Sequence, residues 1–167
     1  MKKTMSIIAA FVVLLLSVSA NTDRVYSAVE GVQAPDFRIE LGGDSTVSLS
    51  DFRGRYVVLN FWSASDADSR IAANRFDRFA KAVSEDESIR LLSVGFGSSE
   101  RLFREIVRRD GMDNESQFFA NGPVASQILK SYELAEGGLR SFLIDPKGDI
   151  VAVNPDLQTV KRIVAGI

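Results

Sequence analysis

No cysteine and no histidine occur in the 167 residues of this chain. Without a thiolate it has no sulfur nucleophile, no disulfide exchange and no zinc site of Cys/His type. Without imidazole it lacks the side chain that most often serves as a base near neutral pH. Methionine is scarce too: Met1, Met5 and Met112 are too dispersed for a Met-based copper centre. A long hydrophobic run is also missing, because the apolar stretch at 7–18 falls short of the roughly 20 residues that span a bilayer. Charge of one sign is absent, with 20 Lys+Arg against 22 Asp+Glu, so nothing attracts nucleic acid in general. Internal repeats and low-complexity tracts are lacking as well.

The N-terminus reads as an export signal over residues 1–20. Lys2 and Lys3 precede the apolar run, and Val18-Ser19-Ala20 supplies small residues for cleavage. An uncleaved anchor is the alternative, since thinning of the bilayer accommodates a short span. The apolar run is followed by no cysteine, which excludes a lipid-anchored lipoprotein. Cleavage after Ala20 leaves 18 basic against 22 acidic residues, a net charge of −4. Residues 21–33 are expected to form a flexible tether and 34–167 a single domain, long enough to bury a core without disulfides.

Within that domain, Phe37, Ile39 and Leu41 alternate with polar residues as in a half-buried strand. Gly42-Gly43-Asp44 marks a turn, and 47–49 a second short strand. Residues 56–61 are nearly all apolar, as expected for a central strand covered on both faces. Ala72, Phe76, Phe79 and Val83 fall on one face of a helix over 69–83, and Arg70, Arg75, Arg78 and Lys81 read as its solvated side. A strand at 89–94, a helix at 100–109, a short strand at 117–120 and a helix at 123–130 follow. Strands at 141–144 and 150–153 flank the turn Pro146-Lys147-Gly148-Asp149, and an amphipathic helix covers 156–167. Alternating strands and helices closed by a hairpin and helix argue for an α/β domain: a mixed central β-sheet flanked by helices.

Four segments give this pattern a family likeness: APDF at 34–37, LSDFRGRYVVLNFW at 49–62, LLSVGF at 91–96 and GGLRSFLIDPKGDIV at 137–151. Together they resemble the TlpA/ResA-like branch of the thioredoxin family, close to the redoxin and AhpC/TSA proteins. The resemblance implies a thioredoxin-like fold and an active-site turn after the strand at 56–61. The family's nucleophilic cysteine would fall on Asp66, its resolving cysteine on Ser69 and its cis-proline on Leu139. None of the three is retained, so the site is degenerate. Trp62 stands where family members often keep an aromatic, and reads either as a core or rim aromatic or as part of a binding surface.

A carboxylate suits the helix N-terminus where the family holds a thiolate, through the same backbone N–H groups and dipole. Plain helix capping explains Asp66, but Ser65 with Asp68 offers a competing capping box. Asp66 and Asp68 lack the six to eight oxygens and distal Glu of a calcium loop, so no metal is expected. Residues two apart do not face each other on a helix, which opposes an acid–base pair. Gly95-Phe96-Gly97 before a helix resembles the start of a dinucleotide fingerprint, but Glu100 replaces its third glycine. Arg101, Arg104, Arg108 and Arg109 read as a solvated helix face. With leucine at 139, a trans Gly138–Leu139 peptide is expected, since a non-proline cis bond costs roughly 2.5–4 kcal/mol.

The resulting expectation is an exported, periplasmic or secreted thioredoxin-like protein without redox chemistry or cofactor. It would bind a protein or peptide partner of the cell envelope through Trp62, Ser65, Asp66, Asp68, Ser69, Leu139 and Arg140. The alternative, carried by the resemblance, is a thiol-disulfide oxidoreductase-family protein with a residual or partner-dependent redox role. Nucleic acid and metal are not expected partners, and membrane contact only if the N-terminal segment is uncleaved.

Overall fold

The structure is a computed structural model that describes residues 28–166, apart from the side chains at 136 and 137. The export signal at 1–20 and most of the tether lie outside the described residues. Residues 28–33, assigned to the tether from sequence, are bonded to the domain: Gly31 N–H donates to Ile150 O at 2.8 Å and Ile150 N–H to Val32 O at 2.8 Å. Ala28 is buried in the core.

Strand β1 (Arg38–Gly42) pairs antiparallel with β2 (Ser45–Ser48) as a separate hairpin, and a 3-10 turn (Leu49–Phe52) leads into the main sheet. That sheet contains β3 (Tyr56–Ser63), β4 (Ile89–Phe96), β5 (Gln117–Ala120), β6 (Ser141–Ile144) and β7 (Ile150–Val153), ordered β5-β4-β3-β6-β7. β3, β4 and β5 run parallel, while β6 lies antiparallel to β3 and β7 to β6. The parallel pairs require crossovers, supplied by α1 (Ala67–Ala82) and α2 (Glu100–Arg109). Helices α3 (Gly122–Ser131), α4 (Leu134–Gly137) and α5 (Leu157–Val164) complete the chain. This is the mixed, helix-flanked α/β sheet expected from the sequence.

The pleat sorts β3 into two faces. Val57, Leu59 and Phe61 pack with Phe37 and Ile39 of the hairpin side, Ile128 of α3 and Tyr132. Val58 packs with Phe76 and Phe79 of α1 and Val160 of α5. Trp62 joins Ala73 of α1 with Phe103, Ile106 and Val107 of α2. The apolar spacing of α1 is therefore met at Phe76 and Phe79, while Ala72 and Val83 stay half-buried. The turn that follows Ser63, the last residue of β3, leads directly into α1 at Ala67.

Candidate functional site

β3 ends at Ser63 and α1 begins at Ala67, so the turn between them is short and serine-rich. Asp66 is the N-cap, in extended conformation at φ −114° and ψ 109°. Its Oδ1 accepts the Ser69 N–H at 2.7 Å. Ser69 Oγ donates to Asp66 O at 3.1 Å and accepts the Ser63 N–H at 3.1 Å. The Ser63 and Ser65 hydroxyls lie 2.9 Å apart. Of the two caps the sequence allowed, Asp66 is used, because it stands one residue before the helix and three before Ser69. The Ser69 backbone N–H, and then its hydroxyl, hold the Asp66 carboxyl below the ordinary carboxylate range. Ser65, Asp66 and Asp68 are exposed on this turn, whereas Ser69 is buried beneath it.

Trp62 corrects the sequence reading that placed it on a binding surface. It is fully buried, at 0% exposure. Its ring lies 5.2 Å from that of Phe103, and Nε1 donates to Gln117 Oε1 at 3.2 Å. An indole held on both its apolar and polar sides cannot meet a partner at the surface. Leu139 is half-buried and packs against the cluster on the opposite sheet face, with Phe61 and Tyr132. Arg140 pairs its carbonyl with the Phe61 N–H at 3.0 Å, and its Nη2 donates to Glu133 O at 3.2 Å. The structure thus gathers Ser65, Asp66, Asp68 and Ser69 in one turn. No hydrogen bond or ion pair among the described residues brings Leu139 or Arg140 to them. There is no cis peptide among the described residues, so the Gly138–Leu139 bond is trans, with Gly138 at φ 74°.

One side of α1 does more than the sequence suggested. Arg70, Asn74, Asp77 and Lys81 recur at helical spacing and all grip the loop after α2. Arg70 Nε and Nη2 each reach an Asp110 carboxylate oxygen at 2.7 Å, and Asn74 Nδ2 donates to Asp110 O. Asp77, only 3% exposed, accepts the Asp113 N–H at 2.7 Å and pairs with Lys81 at 2.8 Å. Lys81 also donates to Gly111 O. The spacing places Arg70 and Lys81 on the helix side expected to be solvated, but both are structural ties to the loop after α2. The signal available in the sequence was Asp77, an acid set between Phe76 and Phe79. The Arg70 guanidinium holds the Asp110 carboxyl below the ordinary range. Beside this seam runs a groove of about 440 Å³ lined by Ala67, Arg70, Ile71, Asn74, Arg78 and Asp110, with Ile71 58% exposed.

A buried polar row crosses the sheet beneath α1 and was not anticipated. Ser141, Asn60, Ser93 and Gln117 occupy paired positions on β6, β3, β4 and β5, and all are buried. Asn60 Nδ2 contacts Ser93 Oγ at 3.4 Å. The row separates the Phe76/Phe79 cluster from the Trp62/Phe103 cluster. Asn60, alone among apolar neighbours in its strand, was its trace in the sequence.

Gly95 has a packing role. A Cβ there would press on Phe103 Cε2, lying 2.6 Å from Phe103 Cδ2 and 3.2 Å from Trp62 Cε2. The glycine admits two aromatic rings, which accounts for the fingerprint-like spacing without a nucleotide. On α2, Arg104 pairs with Glu100 and Arg108 with Glu105, both exposed. Among the described residues no three or more acidic or ligating side chains gather as a metal site. No helix among them is long and apolar enough to cross a membrane.

The sequence profile of the AhpC/TSA family matches residues 31–153. The thiol-disulfide oxidoreductase ResA of Bacillus subtilis is 26% identical, over 98% of this chain and 92% of that protein. Among solved structures, a thioredoxin-like protein from Parabacteroides distasonis is 31% identical with a TM-score of 0.66. The match covers 83% of this chain and 96% of that one. The thioredoxin domain of a thiol-disulfide oxidoreductase from Bacteroides vulgatus is 26% identical with a TM-score of 0.69, covering 84% and 98%.

Proposed function

The chain belongs to the AhpC/TSA family and has a thioredoxin-like fold, and on that premise we propose that it is an exported binding module for protein or peptide segments that works without thiol chemistry. The observation that carries this reading is the Asp66 turn. A carboxylate occupies the helix terminus where the resemblance puts the nucleophilic sulfur, and its Oδ1 is committed to the Ser69 N–H at 2.7 Å. With no cysteine anywhere in the sequence, neither half of a disulfide exchange is available. What the turn retains is an exposed polar rim of Ser65, Asp66 and Asp68, with the exposed Ile71 one turn into α1. That mixture of an apolar contact and a polar edge suits a polypeptide partner. The N-terminal charge and apolar pattern support export to the periplasm or beyond.

The test is a photo-crosslinking residue at Asp68, with a second at Lys147 in the distant hairpin turn. Specific capture at 68 and not at 147 is expected in the cell envelope. Capture of a specific partner only at 147 overturns the site. The names of the relatives favour a second reading, a partner-dependent redox role. Insulin reduction by the purified protein, at a rate above the dithiothreitol background, would decide for it.

A further inference from the structure

The groove beside α1 and the loop after α2 combines apolar surface with an excess of one charge. Ala67, Arg70, Ile71, Asn74 and Arg78 line it, at helical spacing that forms one continuous stripe of α1, and Asp110 completes the lining. The stripe starts directly after the Asp66 cap and covers about 16 Å at 1.5 Å per residue. Ile71, 58% exposed, is the apolar contact it offers.

The groove is built before any partner arrives. Arg70 clasps the Asp110 carboxylate through Nε and Nη2, and Asn74 donates to the Asp110 carbonyl. Arg109 Nε lies 3.8 Å from the same carboxylate. The one acid of the lining is therefore already answered by two guanidiniums. Arg78 is exposed and has no hydrogen bond or ion pair among the described residues. Three cations, Arg70, Arg78 and Arg109, thus stand against the single anion Asp110. Asp66 and Asp68 lie at the turn end of the stripe, so the surplus positive charge sits toward Arg78.

On the reading of the Asp66 turn as a polypeptide-binding surface, and resting on it, we propose that this groove receives an extended acidic segment of the partner. An apolar side chain of that segment lies on Ile71, and a carboxylate meets Arg78. Ile71 and Arg78 are seven residues apart, about 10 Å along the helix. An extended chain covers that distance in about three residues at 3.3 Å each. The pattern recognised is therefore an apolar residue with an acid three positions away. A guanidinium suits a carboxylate because its N–H fork can meet both oxygens. Because the Asp110 clasp fixes the groove beforehand, less ordering cost falls on binding. A free inorganic anion would leave Ile71 without a contact, and a nucleic acid would meet the carboxylates of Asp66 and Asp68.

The probes are the dye-labelled, capped peptide acetyl-Ser-Leu-Thr-Ser-Glu-Glu-Ser-amide and its reversed sequence, which together cover both chain directions. Each is titrated by anisotropy against the purified protein at low salt, and at least one is expected to bind. Arg78→Ala and Ile71→Ser, both at exposed positions, should each weaken that binding by about fivefold. Arg75→Ala, exposed but outside the lining, should change it by less than about twofold. Glutamine in place of both peptide glutamates should weaken it by about tenfold. Equal binding of the glutamine peptide overturns the charge pairing. No binding of either order up to about 1 mM overturns the groove. So does an equal loss in Arg75→Ala and Arg78→Ala, which would mark a diffuse basic surface. In the cell envelope, specific capture from a photo-crosslinker at position 68 that Arg78→Glu leaves unchanged overturns the groove and keeps the turn as a binding site. Peptide binding with the expected losses, but no capture at 68, upholds the groove and removes the envelope partner.

Discussion

Replacing Gly95 by alanine should destabilise the protein although it adds a single methyl group. The new Cβ would sit 2.6 Å from Phe103 Cδ2, whereas carbon atoms rest at about 3.5–4.0 Å. Phe103 cannot swing aside freely, because its ring is held between Trp62 at 5.2 Å and Phe119 at 5.3 Å. Trp62 is in turn anchored through its N–H to Gln117. The strain must therefore move β4, α2 or both aromatic rings. Overpacking of this kind costs about 1–3 kcal/mol. At about 2–4 °C per kcal/mol for a domain of this size, Tm should fall by roughly 2–12 °C. Urea unfolding followed by circular dichroism should show a lower midpoint with unchanged slope, the signature of a stability change alone. A Phe103→Leu background should relieve part of the cost, giving a favourable coupling in the double-mutant cycle. A Gly95→Ala midpoint within about 0.5 kcal/mol of the parent would refute the reasoning, because that is the range of a surface change. It would also reopen the question of why glycine stands there.

Asp110→Asn should cost about 1–2 kcal/mol at pH 7, between the values for exposed and buried ion pairs. Because Arg70 depresses the folded-state pKa of Asp110, its contribution is complete above the unfolded carboxylate value of about 3.9 and is lost as pH falls through the folded value. Urea midpoints of the two proteins should converge in acid, and a constant gap down to about pH 2 would contradict the ion-pair account. Asp66→Ala should cost about 1 kcal/mol through loss of the cap, and thermal unfolding that leaves Tm unchanged would show the cap to be idle. Asp77→Ala should cost more than Asp77→Asn, because the asparagine can still accept the Asp113 N–H and the alanine leaves it orphaned at about 1–3 kcal/mol; equal costs by urea titration would contradict this. The double variant Asp66→Cys/Ser69→Cys is expected to show weak insulin reduction at best, because Leu139 replaces the proline that the family resemblance places there; robust turnover would show that only the sulfurs were missing.

The sequence by itself determined the succession of strands and longer helices, because those signals are local, but not the short helix Leu134–Gly137 or the 3-10 turn Leu49–Phe52. Phe76 and Phe79 of α1 and the apolar run of β3 each declare which face they bury through spacing alone. It also determined what chemistry is unavailable, since a residue type absent from the chain cannot be restored by folding. The degenerate turn was legible down to the residues, Asp66 and Ser69, but not the cap: two alternatives fitted the same spacing until backbone conformation chose between them. Trp62 shows the limit most plainly. Its place after β3 was readable, but its burial depended on Phe103 from α2 and Gln117 from β5, 41 and 55 positions along the chain. Arg70 and Lys81 looked solvated because their acceptors, Asp110 and Gly111, arrive only when α2 packs beside α1. The row of Ser141, Asn60, Ser93 and Gln117 exists only through strand register. Tertiary structure decided these features because each depends on partners distant in sequence, and no periodicity within one segment carries the identity of what will pack against it.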